Sequence, residues 1–180
     1  MIYAFLAEGF EETEAIAPID ILKRCGKEVV TVGVGSGEIT GAHGITVVAD
    51  ITDSDMILTD KVEMIVLPGG MPGTLNLEKN EAVQAAIRYC ADNDKYIGAI
   101  CAAPSIIGKL GLLEGKKATC FPGFEQFLTG AEFTGDPVNI DGKIITARGA
   151  GVAVDFGLAL AEALCGEAKA DKIKRSLQCI

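Results

Sequence analysis

Residues 95–105 read KYIGAICAAPS, and they set the fold. The run from Tyr96 to Ile100 is apolar and short, the length of a buried strand rather than of a helix. The next stretch, AAPSIIGKLG, suits a helix, so Cys101 falls at a strand-to-helix joint. Working outward, EMIVLPGG (63–70) is a second buried strand that ends in a Pro-Gly-Gly loop. Between the two lies NEAVQAAIRYCADND, an amphipathic helix with Asn80 as its N-cap.

The same alternation runs through the rest of the chain. IYAFLA (2–7) predicts a strand, and a helix follows from about Glu11 to Arg24, closed by Gly26. Pro18 lies inside it, which predicts a late start or a kink. EVVTVGV (28–34) is the next strand; a turn-rich segment then leads to a strand at 45–49. Further on come KKATCF as a strand, PVNIDGKIITA as a hairpin turning at Asp141-Gly142, and a long helix from about Gly151 to Leu164. Near-continuous apolar strands alternating with helices specify an α/β protein, a doubly wound, mostly parallel sheet with helices on both faces. Residues 1–180 are expected to form a single domain, with no repeats or linkers.

Composition narrows the function. Sixteen Lys+Arg against 25 Asp+Glu give a formal charge of −9, which disfavours nucleic acid and anionic membranes as partners. No run approaches a membrane span, and the first residues lack a basic leader. The six cysteines include no C-x-x-C pair, so reduced thiols in a cytoplasmic protein are expected. With one histidine and no ligand-spaced pair, neither a metal nor another cofactor is expected.

In open α/β sheets ligands bind where strands end at their carboxyl edge. Three loops converge there: AEGFEETE (7–14), LPGGMPG (67–73) and CAAPS (101–105). Cys101 supplies sulfur, and a helix starting near Ala102 supplies backbone N–H groups that favour thiolate. Gly69 and Gly70 allow further N–H groups close approach, so with Ala102 they could form an oxyanion site. Taken alone, each feature also reads as structure: Cys101 as a packed thiol, the two glycines as a tight turn. The only histidine, His43, lies far upstream, so any activation of Cys101 needs another partner.

The set AEGFEETEA, VLPGG, AICAAP, CFPGFE and ARGAG followed by DFGLAL resembles the ThiJ/PfpI superfamily. Within it the match is to the branch of the parkinsonism-associated protein deglycase and its small bacterial relatives, over essentially the whole chain. The resemblance implies a flavodoxin-like fold, a homodimer, and a reactive cysteine at Cys101 reached by a glutamate at Glu14. Kept neutral by burial, Glu14 could donate a hydrogen bond to the thiolate. Phe121 occupies the position where animal members carry a histidine before proline. His43 falls where several relatives place an arginine that reaches across the dimer; Arg24 and Arg148 match basic positions near the site or the dimer contact. Two functions follow from the resemblance. One is a cofactor-free enzyme acting on small carbonyl substrates, the α-oxoaldehydes methylglyoxal and glyoxal or their adducts. The other is an oxidative-stress sensor or protective protein using Cys101, with possible chaperone activity. A peptidase is disfavoured, because Ala102 stands where peptidase-like members have histidine.

Overall fold

The structure, a computed structural model, describes residues 1–179. Its centre is a seven-stranded sheet of order β10-β11-β7-β6-β1-β2-β5. These strands are β1 (Ile2–Leu6), β2 (Val29–Gly33), β5 (Ile51–Thr52), β6 (Met64–Leu67), β7 (Tyr96–Ile100), β10 (Val138–Asp141) and β11 (Ile144–Ala147). All neighbours pair in parallel except β10 with β11, the hairpin that turns at Asp141-Gly142. Gly142 takes φ 61°, a conformation that a residue without Cβ adopts at no steric cost.

Alternate residues of β1 sort onto the two faces. Ile2 and Ala4 pack with α1 (Glu12–Arg24) and α5 (Ala153–Cys165), through Ile19, Leu22, Phe156 and Leu160. Tyr3 and Phe5 pack on the other face, with Leu77 of α2 (Gly73–Lys79), Val83 and Ile87 of α3 (Glu81–Asp92), and Ile106 of α4 (Pro104–Lys109). A last helix, α6 (Glu167–Ser176), lies against α1 and α5. The doubly wound architecture expected from the alternation is therefore present. Asn80 caps α3 as its sequence predicts, accepting from Val83 N–H at 2.9 Å.

The strand expected at 45–49 is present as β4 (Thr46–Val48), which pairs with β3 (Glu38–Thr40) in a separate two-stranded hairpin. Several expectations need correcting. KKATCF holds only a two-residue strand, β8 (Lys117–Ala118), paired with β9 (Glu132–Phe133). α4 starts at Pro104, not at Ala102, because a proline needs no donor bond at a first helical position. Pro18 is accommodated within α1, which starts at Glu12 behind the cap Glu11. Among the described residues no helix is long and apolar enough to cross a membrane.

Candidate active site

Sheet order reverses between β1, which leads to β2 on one side, and β6 on the other. The loops after β1 and β6 therefore part at this switch point and leave a crevice. β7 ends beside them, and Cys101 follows it in a left-handed conformation with φ 66°. For a residue with a Cβ this costs roughly 1–2 kcal/mol. Two backbone bonds hold it: Cys101 N–H donates to Ala147 O, and Phe121 N–H donates to Cys101 O, both at 2.8 Å. The result is a sharp elbow that presents the sulfur at the strand end.

Glu14 meets this sulfur from the first turn of α1. Glu14 is 1% exposed, and its Oε2 lies beside the Cys101 side chain, the two meeting across Gly69. Gly69 N–H donates to Glu14 Oε2 at 3.0 Å, and Ala150 N–H also reaches the carboxyl. A Cβ at residue 69 would lie 2.6 Å from both Cys101 Cβ and Glu14 Oε2, so glycine is what lets the three groups meet. Gly69 N–H is thus occupied by Glu14, whereas the N–H groups of Gly70 and Ala102 are directed at the sulfur. Gly70 has φ 90°, and a Cβ there would overlap Glu11 N and Gly9 O.

The electrostatics bind thiol and carboxyl into one titrating unit. Burial raises Glu14 to about 7, against the hydrogen bonds from Cys101 and the backbone; the nearby charge of Glu11 adds to the rise. Cys101 is pushed up to about 12, by burial first and then by the charge and acceptor character of Glu14. The Ala102 and Gly70 N–H groups pull it back down. Two of the upward causes last only while Glu14 is ionised. Ionised Glu14 thus favours the protonated sulfur, and the thiolate is expected only beside a neutral Glu14. The short α4 helps little, since it holds only six residues and begins three positions beyond the sulfur.

The remaining candidates lie further out. Phe121 contributes its backbone to the elbow, while its ring, 47% exposed, borders the crevice near Gly149. No imidazole stands at that position. His43, in the turn between β3 and β4, bonds Glu12 of its own chain through its N–H and through Nδ1, each at 2.8 Å. Arg24 sits at the far end of α1, paired with Asp20 at 2.6 Å. Arg148 is exposed at the end of β11, its N–H on Pro137 O at 3.1 Å. Sequence reasoning missed Ala150 as a donor to Glu14; the Gly149 turn inside ARGAG was its one available signal.

A strained cysteine elbow at the switch point of a doubly wound sheet, with a buried glutamate on its sulfur, defines a class of α/β protein with a thiol centre. The chain belongs to the DJ-1/PfpI family, which it matches over residues 1–163. Protein DJ-1 homolog A of Arabidopsis thaliana is 40% identical over 177 residues, covering 96% of this chain. The chain spans only 45% of that plant protein. A deglycase of Pyrococcus horikoshii is 34% identical over 145 residues, 79% of this chain and 86% of that protein. Among solved structures, Toxoplasma gondii DJ-1 in its oxidised form superposes with a TM-score of 0.93 at 32% identity, over 98% of this chain and 97% of that one.

Proposed function

We propose that this protein is a cofactor-free enzyme that converts small α-oxoaldehydes through Cys101 and Glu14. The observation that carries the reading is a buried carboxyl set beside an elbow thiol, with its pKa raised to about 7. Near neutral pH such a group is divided between acid and base, the condition for moving a proton both ways.

The order of steps grows out of that contact. Ionised Glu14 takes the Cys101 proton as sulfur attacks the aldehyde carbon of methylglyoxal, giving a hemithioacetal. The new oxygen takes the N–H groups of Gly70 and Ala102 that had faced the sulfur. Glu14 passes the thiol proton to that oxygen and, ionised again, carries the proton from the former aldehyde carbon to the neighbouring carbon through an enediol, leaving a thioester. Water breaks the C–S bond, releasing lactate and restoring the thiol. No separate histidine is needed, which suits a chain with Phe121 at that position. The name of the Pyrococcus relative supports action on glycated adducts as well.

A homodimer fits the outer surface. Ile16 of α1 and Ile45 and Val48 of the β3–β4 hairpin are apolar and 43%, 58% and 73% exposed, which supports a covering partner on these elements. Across such a contact His43 would face the partner. Cross-linking or light scattering at micromolar concentration tests this; a monomer rejects it.

A second reading rests on the same sulfur. Cys101 is only partly buried and touches a carboxyl able to hydrogen-bond an oxidised sulfur, and the Toxoplasma structure is of an oxidised protein. The discriminating experiment is lactate formation from methylglyoxal, with Cys101→Ser and Glu14→Gln alongside. Turnover lost in both variants supports the enzyme. Turnover no greater than the Cys101→Ser background rejects it, and peroxide titration with intact-mass readout then tests the sensor.

A further inference from the structure

At the opposite end of α1 two other cysteines meet. Cys25 follows Arg24 as the closing residue of α1, its N–H on Ile21 O at 3.1 Å. Cys165 is the last residue of α5. The two helices lie side by side on one face of the sheet, brought close by a glycine. A Cβ on Gly157 would fall 2.9 Å from Pro18 Cα and 2.7 Å from Ile21 Cδ1. One turn further along each helix, Ile21 gives way to Cys25 and Ala161 to Cys165. All four share an apolar cluster with Leu158, Ala170 and Ile173. Cys25 and Cys165 pack in that one cluster, close enough for each sulfur to bear on the other's charge, and neither is in a disulfide.

The two thiols differ as an exchanging pair requires. Cys165 is partly exposed and open to a small reagent, whereas Cys25 is buried against it. Burial first, and then the neighbouring Cys165 sulfur, push the Cys25 thiol up to about 11, only partly offset by Lys169 and Lys27. We propose that Cys25 and Cys165 form a reversible dithiol–disulfide site that staples the C-terminal ends of α1 and α5 on exposure to a low-molecular-weight disulfide such as oxidised glutathione.

The chemistry balances with that one co-reactant. Ionised Cys165 attacks a glutathione sulfur, the small S–S bond breaks, and one glutathione thiolate leaves with a protein–glutathione disulfide behind. Cys25 then attacks Cys165 Sγ, passing its proton to solvent, and the second glutathione leaves as thiolate. Two protein thiols are oxidised and one small disulfide is reduced to two thiols. The staple joins the helix that carries Glu14 to the helix that follows Ala150, the donor to Glu14. It does not depend on Cys101 being reactive.

The test uses the full chain in a Cys101→Ser background, so that failure here is separate from failure of the proposed activity. After incubation with oxidised glutathione and alkylation, the expected product takes up two fewer alkyl groups and yields a peptide linking residues 25 and 165. Dithiothreitol should reverse it, and Tm should rise by about 5–10 °C while the link is intact. Adding Cys25→Ser should halt the reaction at glutathione on Cys165; adding Cys165→Ser should leave Cys25 unmodified. Persistent glutathione on Cys165 with Cys25 intact would overturn the proposal, as would a link from Cys165 to Cys179 or a fall in Tm on oxidation.

Discussion

Glu12 and Glu14 stand two residues apart on the first turn of α1, both buried, and the protein treats them oppositely. Burial works to raise each carboxyl. At Glu12 it is outweighed, because the His43 ring and the N–H groups of His43 and Ile45 supply donors, and the carboxyl is held below its usual range. At Glu14 burial wins, and the carboxyl rises to about 7. Its partners are two backbone N–H groups and a thiol, with Glu11 adding negative charge nearby. What separates the proton carrier from the anchoring carboxylate is therefore both the greater depth of Glu14 and the basic side chain found only at Glu12. Glu12 ties the β3–β4 turn to α1; Glu14 is left free to change its charge.

Removing the sulfur should have the largest effect on this contrast. Cys101→Ser is expected to lower methylglyoxal turnover by about 10⁴-fold or more, since a serine hydroxyl is far harder to ionise beside a carboxylate. Steady-state lactate assay checks this. Glu14→Gln should cost about 10²–10³-fold. In the unaltered protein kcat/KM should climb as pH passes through about 7, because the base form of Glu14 is the one that accepts the thiol proton. The Gln variant should lack that limb.

The same carboxyl also has a stability signature of definite sign. Folded Glu14 holds its proton up to about 7, against an ordinary value of 4.5, so the native state binds more protons across that window. Stability should fall as pH rises through it, by about 3 kcal/mol. Denaturant unfolding at pH 5 and pH 8 measures the fall, and Glu14→Gln should flatten it. Gly69→Ala comes next. Its methyl would wedge between Cys101 and Glu14 and should destabilise by about 2 kcal/mol as well as depress turnover.

His43→Ala should do least, since the ring is exposed and its pairing with Glu12 is screened by water. The sign is still fixed. Glu12 raises the His43 pKa, so the pairing stabilises below the ordinary histidine value and is lost as pH rises through the shifted one. A small loss of Tm at pH 6 that vanishes at pH 9 is the expected pattern; an equal loss at both would show that the ring charge contributes nothing.

How much of this was legible in the sequence depends on what each feature rests on. β1, β6 and β7 are apolar runs and declare themselves through burial on both faces. Asn80 and Asp141-Gly142 were readable because capping and turn chemistry are local. β5 and β8, two residues each, were not, because such strands exist only by pairing with a neighbour distant in sequence. α2, entered through Met71-Pro72-Gly73, hid behind a turn signal. Cys101, Glu14, Gly70 and Ala102 meet as a group, but the occupation of Gly69 by Glu14 was invisible, since it depends on the direction of one N–H bond across 55 residues. So was the Glu12–His43 pairing, made between a helix and a hairpin that no spacing relates.

Pro18 has a consequence for motion. It carries no N–H to give to the carbonyl four residues back, and that carbonyl belongs to Glu14. The turn bearing Glu11, Glu12 and Glu14 thus lacks a rung where it joins the rest of α1. Its ties instead run sideways, from Glu11 N–H to Gly69 O, from Gly69 N–H to Glu14, and from the His43 loop to Glu12. In amide exchange this turn should open together with the loops beside it rather than with its own helix, so a ligand that orders the crevice would slow exchange at Glu14 while leaving Leu22 unchanged.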